Sequence, residues 1–385
     1  MRFNIQKSAS APLHMQLLDE LRHWIMTGQV KPHERLPGEW ELSTELDISR
    51  ATIQKAWQSA EEEGLIYRVP GKGTFIGEPR PKNATTQSIT LIVPDFRGTF
   101  AVHMLSGVER VLRRRGYQVQ LASTEYTLSE ENRILRQAQM DGVCGAILWG
   151  VNAPDENRLA GAIARTMPIV LIDRPLPGIS LPLVASNHYQ GGLLAMKHLL
   201  ALGHRHIAFL ARPHLELWSV AERYRAYQDA LHHAGLEPLP AILIGDDQEL
   251  SSYTAYAQAD EATLTPLIAM LARPDRPSAI FASNDWIAMR AIRAAHHAGL
   301  HLPEDLSLVG FDNLDVSDYL SPPLTTVAQN TDLLGAEAAR RLLALIEGER
   351  TGDVLTLVPT QLIVRRSTGA FQIVGDRWFK VKRTP

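Results

Sequence analysis

One cysteine in 385 residues, Cys144, rules out an internal disulfide framework and fits a reducing compartment. It lies in the apolar run VCGAILW, where a buried structural thiol is a better reading than a nucleophile. No apolar run approaches the roughly 18 residues that span a membrane. The N-terminus, MRFNIQKSASAPLH, lacks the apolar core of a secretory signal. A cytoplasmic protein with no membrane partner is therefore expected. The motifs GxxxxGK[ST], GxSxG and HExxH are all absent. Lysine is scarce: Lys197 is the only one between Lys82 and Lys380, and it sits in the helical pattern GGLLAMKHLLALG, not at a strand end where a Schiff base would be built. The paired histidines His232-His233 and His296-His297 precede Ala-Gly at helix ends, where they complement the dipole, so no metal site is expected. Neither enzymatic activity nor a cofactor is expected. An excess of basic charge is missing too. The net charge is −3, and residues 1–80 hold 10 Lys/Arg against 11 Asp/Glu.

What is present is a change of pattern partway along. Leu13, Leu17, Leu18, Leu21, Trp24 and Ile25 make a helical stripe closed by Gly28. A short helix from about Glu39 to Leu46 and one capped by Ser49 and running to about Glu63 follow; Ile53, Trp57 and Ala60 mark the inner face of the latter. Residues 65–69 and 74–76 read as two strands joined by Pro70-Gly71-Lys72-Gly73. EPRPKNATTQS is Pro-rich, then polar, and reads as a linker. Beyond it, short apolar strands (ITLIVPD, YQVQLAS, GAILWG, IVLID, HIAFL, AILIG, SAIFAS, LSLVGFD) alternate with helical segments near Val102–Arg115 and Ser129–Met140. Such alternation predicts parallel sheets covered on both faces. About ten strands are too many for one comfortable sheet, so two α/β lobes are expected.

The segment 11–77, with TGQVKPHERLPGEWELS, LDISRATIQKAW, EEEGLIYR and GKGTF, resembles the winged helix of the GntR family of bacterial repressors. In such a head the helix beginning at Arg50 enters the major groove. Its first exposed positions are Ser49, Arg50, Ala51, Thr52, Gln54 and Lys55. Arg50 is suited to paired hydrogen bonds with guanine, Gln54 to adenine, and Ser49 and Thr52 to phosphates. The resemblance brings Gly71 and Lys72 at the wing tip to the minor groove. The chain departs from the family after Leu-Pro, where Ser-Glu-Arg is usual and Gly38-Glu39-Trp40 stands here. Losing that arginine is expected to alter the operator. Glu39 is retained as a positioning residue, and Trp40 receives no base contact. The bland alternative is plain helical packing by Leu42, Ile48 and Ile53.

Residues 89–368 resemble the effector domain of the LacI/GalR regulators, which shares the periplasmic sugar-binding fold; MKHLLALGHRHIAFL, ERYRAYQDAL, PSAIFASNDWIAM, LPEDLSLVGFDN, LTTV and VRRST carry the likeness. It implies two lobes joined by three crossovers with a ligand between them. Hydroxyl-rich ligands need planar charged partners and aromatic faces. Arg223 and Asp285 are the leading candidates for the first, with Asn284, Arg174 and Asp312 behind them. Phe100, Trp149 and Trp218 are candidates for the second. Each has a structural alternative: Asp285 as a helix cap, Arg223 in an ion pair with Glu222, the tryptophans as packing, and Asp312 as a turn acid, the favoured reading there.

The expected architecture is thus an α/β chain with an N-terminal winged helix-turn-helix (1–77), a linker (78–88), a two-lobed periplasmic-binding-protein-like sensor that also dimerises (89–368), and a C-terminal extension of no assigned role (369–385). The combination resembles the arabinose-repressor arrangement. It implies a homodimeric repressor on a palindromic double-stranded operator, released or retained by a small sugar-like effector. An activator, or a sensor of a nucleobase or other metabolite, has the same build.

Overall fold

A computed structural model describes residues 3, 5, 12–27, 29–62, 65–69, 72–77, 87–151, 158–245, 262–349 and 354–371. It divides into two units, Met1–Thr85 and Thr86–Pro385. In the first, α1 (Leu13–Thr27), α2 (Glu39–Leu46) and α3 (Arg50–Glu62) precede the antiparallel pair β1 (Ile66–Val69) and β2 (Gly73–Ile76). Leu17, Leu18, Leu21 and Trp24 of α1 bury against Leu42, Ile53, Ala56, Trp57 and Ala60. Asp47 turns left-handed (φ 49°) between α2 and α3, and the Ser43 hydroxyl donates to the Ile48 carbonyl at 2.7 Å. That sharp link lets α3 cross α2 with its polar face outward. Arg35 adds a bridge to Phe75 at the wing's base. Of the predicted linker (78–88), residues 78–86 lie outside the described residues and Ser88 opens a strand; of the predicted extension (369–385), residues 372–385 lie outside them.

The second unit contains two six-stranded sheets. The first uses β3 (Ser88–Val93), β4 (Gln118–Ser123), β5 (Gly145–Leu148), β6 (Ile169–Ile172) and β7 (Leu183–Ser186), with α4 (Thr99–Arg113), α5 (Leu128–Met140) and α6 (Arg158–Ile163) between them. The chain then builds the second lobe: α7 (His188–Ala201), β8 (Ile207–Ala211), α8 (Trp218–His233), β9 (Ile242–Leu243), α9 (Thr265–Leu271), β10 (Ala279–Ala282), α10 (Asp285–His297), β11 (Ser307–Asp312) and β12 (Thr325–Gln329). It returns to the first lobe through α11 (Thr331–Ile346) and β13 (Leu355–Val358), and to the second through β14 (Thr360–Ile363). The sheet orders are β4-β3-β5-β6-β7-β13, all parallel, and β9-β8-β10-β11-β12-β14, parallel except for β12 with β14.

Both faces of each sheet are covered, which is why the strands read as unbroken apolar runs. Leu91, Val93, Ile147 and Val170 face α4 and α11, whereas Ile92, Ala146, Leu148 and Ile169 face α5 and α6. In the second lobe Phe209, Phe281 and Phe311 meet α7 and α8, while Leu210, Ile280 and Leu308 meet α9 and α10. The helix expected from Val102 starts earlier, at Thr99, and the strand read in AILIG shrinks to two residues. Strands β7, β12, β13 and β14 escape the pattern because each carries Ser or Thr in place of an unbroken apolar run (LVAS, TTVAQ, LTLV, TQLI).

Three crossovers join the lobes, at Asn187, Asn330 and Pro359. The Asn187 and Asn330 side chains each cap the helix they start, accepting from Gln190 N and Leu333 N at 3.0 Å. The strands are laced side by side: Asn187 N donates to the Val358 carbonyl at 2.8 Å, Thr360 Oγ1 donates to Gln190 Oε1 at 2.8 Å, and Gln329 pairs with Thr360. In the first lobe α4 and α11 approach backbone to backbone. A Cβ on Gly107 would lie 1.9 Å from the Asp332 carbonyl oxygen, and one on Gly335 2.0 Å from that of Met104. No flexible side chain can yield there. Gly107→Ala should therefore cost about 1–3 kcal/mol by forcing the helices apart. Urea unfolding checks this; an unchanged midpoint would show that the crossing tolerates separation.

Candidate functional site

The head presents its polar helix face through α3. Ile53, Ala56, Trp57 and Ala60 turn inward, leaving Arg50, Ala51, Gln54 and Lys55 exposed. Ser49 caps the helix, its Oγ accepting from Thr52 N at 3.2 Å and lying 2.8 Å from the Thr52 hydroxyl. Glu39, at the start of α2, ties three elements together. Its Oε2 accepts from Gln54 Nε2 at 2.9 Å and its Oε1 stands 3.7 Å from Arg68 NH1 on the wing. Arg68 Nε also lies 3.3 Å from Glu61. Glu39 thus fixes the register of α3 and wing against α2. Lys72 is exposed at the wing tip, whereas Gly71 lies outside the described residues.

The second concentration of chemistry lies where the strands of both lobes end, at their carboxyl edges, the usual place for a site in open α/β sheets. From the second lobe, Arg223 of α8 is only 5% exposed. Its NH1 donates to the Ser283 carbonyl at 2.5 Å, its NH2 to His188 Nδ1 at 3.2 Å, and its guanidinium carbon stands 3.8 Å from the Phe311 ring centroid. Asp312 Oδ1 is 3.7 Å from Arg223 NH2 and accepts from Gln329 Nε2 at 2.7 Å. Burial pushes the Asp312 carboxyl up to about 7, against the pull of Arg223. Asp312 also holds φ 113°, and Asp173 φ 73°. Such strained positions for non-glycine residues cluster at functional sites.

From the first lobe, Arg174 Nε donates to Asp173 Oδ2 at 3.0 Å, and its guanidinium lies 5.6 Å from the Trp149 ring, which in turn meets Phe100 at 5.3 Å. His188 connects the halves. A guanidinium only donates, so Nδ1 must be the acceptor and the ring proton sits on Nε2, facing Asp173 Oδ1 at 3.8 Å. Burial, with Arg223 and Arg174 beside it, keeps the ring well below its ordinary pKa and therefore neutral. Trp218 stacks edge-on to His188 at 5.5 Å. Four buried polar atoms of this network find no partner among the described residues: the donors Trp149 Nε1, His188 Nε2 and Arg223 Nε, and the acceptor Gln329 Oε1. Buried groups of this kind are normally satisfied, and the four are set up for something with both donors and acceptors.

The structure therefore draws Phe100, Trp149, Arg174, Trp218, Arg223 and Asp312 into one network, and adds Asp173, His188 and Gln329, which the sequence pattern did not mark. It removes Asp285. That side chain is fully enclosed, and Leu314 N, Ser317 Oγ and Thr326 Oγ1 donate to it at 2.9, 2.6 and 2.6 Å. A carboxylate that is wholly enclosed and holds three donors, locking the 313–317 loop to β12, presents no accessible oxygen to a ligand. Asn284, not Asp285, caps α10, its Oδ1 accepting from Ile287 N at 2.9 Å. Asp312, read from the sequence as a turn acid, is the carboxylate beside Arg223. Nor does Arg223 pair with Glu222, which instead binds Arg225 at 2.7 Å.

Comparison with known proteins agrees with this division. Residues 13–76 match the family of bacterial regulatory proteins of gntR type, and residues 196–368 the periplasmic binding protein-like domain. The chain is 30% identical over 374 residues to the arabinose metabolism transcriptional repressor of Geobacillus stearothermophilus, covering 94% of this chain and 99% of that one. Among solved structures, the transcriptional regulator CelR in complex with cellobiose is 28% identical with a TM-score of 0.63, covering 83% of this chain and 91% of that chain. A LacI family transcriptional regulator from Enterococcus faecium with bound ribose is 27% identical with a TM-score of 0.59, covering 74% and 100%.

One buried acid near the cleft supports a pH test. Glu131 of α5 accepts from Val151 N at 2.6 Å and so pins the turn that follows Trp149, while burial raises its carboxyl to about 7. A folded pKa above the unfolded value means that stability falls as pH rises from about 4 to about 7. Glu131→Gln keeps an acceptor without the charge. It should melt with the parent at pH 4 and above it at pH 8; an equal difference at both pH values would show that Glu131 does not titrate in this range.

Proposed function

Because the chain belongs to the family of transcriptional repressors that join a gntR-type winged helix to a periplasmic-binding-protein-like effector domain, we propose that it represses carbohydrate-utilisation genes as a cytoplasmic homodimer on a palindromic operator. Its effector is a small sugar held between the lobes, and it carries out no catalysis. The observation that carries the effector reading is the set of unsatisfied buried atoms around Arg223, in which three donors and one acceptor match the alternating hydroxyls of a sugar. Phe100, Trp149 and Trp218 supply faces for its C–H surface, and Asp312 and Arg223 its charged hydrogen bonds. The cellobiose and ribose complexes of related regulators support the same class of ligand.

Release follows from linkage. A sugar that satisfies groups from both lobes binds one lobe arrangement better than another, and the three crossovers let that arrangement change. A coupling of roughly 1–3 kcal/mol, or 5- to 150-fold in operator affinity, is typical. In the head, Arg50 reads guanine, and Gln54, oriented by Glu39, faces the neighbouring base; Ser49, Thr52, Lys55 and Lys72 address phosphates, and Ala51 and Gly71 allow close approach.

Two measurements test this. A thermal-shift screen of pentoses, hexoses, disaccharides, nucleobases and amino acids should find stabilisation by a sugar that is lost in Asp312→Asn. Stabilisation by a nucleobase alone would replace the ligand class. Arg50→Ala should weaken operator binding by about 1–3 kcal/mol in an anisotropy titration, and normal binding would refute the assignment of α3.

A further inference from the structure

Trp40 is the one tryptophan among the described residues left exposed, with 69% of its surface accessible. Its place in α2 explains why. Leu42 turns into the core, and a residue two positions earlier on a helix faces the opposite way. Its neighbour Glu39 shows which surface that is. Glu39 reaches Gln54 on the outer face of α3 and lies near Arg68 on β1. The first turn of α2 therefore borders the same surface that carries Gln54 and the wing.

The indole ring therefore lies in water at the edge of the face that carries Gln54. Arg68, on that surface, stands between Glu39 and Glu61, so its charge is partly offset within the head.

Contrary to the expectation from the sequence that Trp40 makes no base contact, we propose that Trp40 is a DNA-contacting residue whose indole packs on the apolar surface of the duplex, a thymine methyl group or the adjoining deoxyribose, next to the bases faced by Gln54. This deepens the reading of the head as a DNA-binding domain and rests on it. Apolar contact with a thymine methyl discriminates sequence without charge. Because it releases no counterions, it adds affinity that does not decay with salt.

The full-length protein is first used to enrich duplexes from a random library. The selected duplex is then titrated by anisotropy at several salt concentrations with the wild type, Trp40→Ala, Trp40→Phe, Trp40→Arg and Arg50→Ala. Trp40→Ala should bind about 5- to 100-fold more weakly at every salt concentration, with the salt slope unchanged, and Trp40→Phe should recover part of the loss. Trp40→Arg should steepen the slope by about 0.9, the value of one added phosphate contact. Replacing thymines by uracil separates the two apolar sources. A wild-type loss that vanishes in the Trp40→Ala background marks the methyl group, and an effect of Trp40→Ala without an effect of uracil marks the sugar. Equal binding by wild type and Trp40→Ala, while Arg50→Ala binds poorly, overturns the proposal alone. A Trp40→Ala loss accompanied by a shallower salt slope also overturns it. Should Trp40→Ala melt below the wild type, Trp40→Gln takes its place under the same criteria. If the wild type enriches no duplex, the reading of the whole head falls and this one with it.

Discussion

A guanidinium withdrawn from water is expensive, on the order of several kcal/mol after relaxation, and the sensor is organised around one. Arg223 lies at the crease between two sheets, and four groups from three elements converge to compensate it: the Ser283 carbonyl at the end of β10, the Phe311 ring and Asp312 carboxylate at the end of β11, and the His188 imidazole at the start of α7. These partners dictate where the strands must end relative to one another. Burial first, and the guanidinium beside it second, keep His188 neutral. The neutral ring then carries its proton toward Asp173, linking the second lobe to the first.

This arrangement is stable yet incomplete. Asp285 shows the contrasting case in the same lobe: three protein donors hold its enclosed carboxylate, and it acts as a fixed rivet for the loop beyond β11. Around Arg223, by contrast, donors and an acceptor are left over. The difference between a rivet and a receptor is whether the protein itself satisfies the buried groups. The crossovers at Asn187, Asn330 and Pro359 run beside this network, with Gln329 belonging to both. Gln329 therefore ties the network directly to a segment that joins the lobes.

The head follows a different logic. Its acids are used as struts: Glu39 holds Gln54 and faces Arg68, and Glu61 holds Arg68 from the other side. Rigid placement of the reading face consumes charge that a more basic domain would spend on phosphates.

Periodicity along the chain was enough to determine the element order of the head, the inner face of α3 and the existence of two lobes. Each depends on residues within a turn or two of one another, or on apolar runs that local burial imposes. The same signals exposed Arg223, Trp149 and Phe100 as chemistry near element ends. Which carboxylate stands beside Arg223 was decided only by tertiary structure. Asp285 and Asp312 both follow apolar strands and look alike in one dimension. The partners that separate their roles, Thr326 and Ser317 for one and Arg223 for the other, lie 32 to 89 positions away in the chain. His188, Asp173 and Gln329 stayed invisible for the same reason. So did the glycine crossing of Gly107 with α11, which brings together backbones more than 220 residues apart. Local sequence encodes which way a side chain faces, but only the folded sheets bring distant strand ends together and so settle what it meets there.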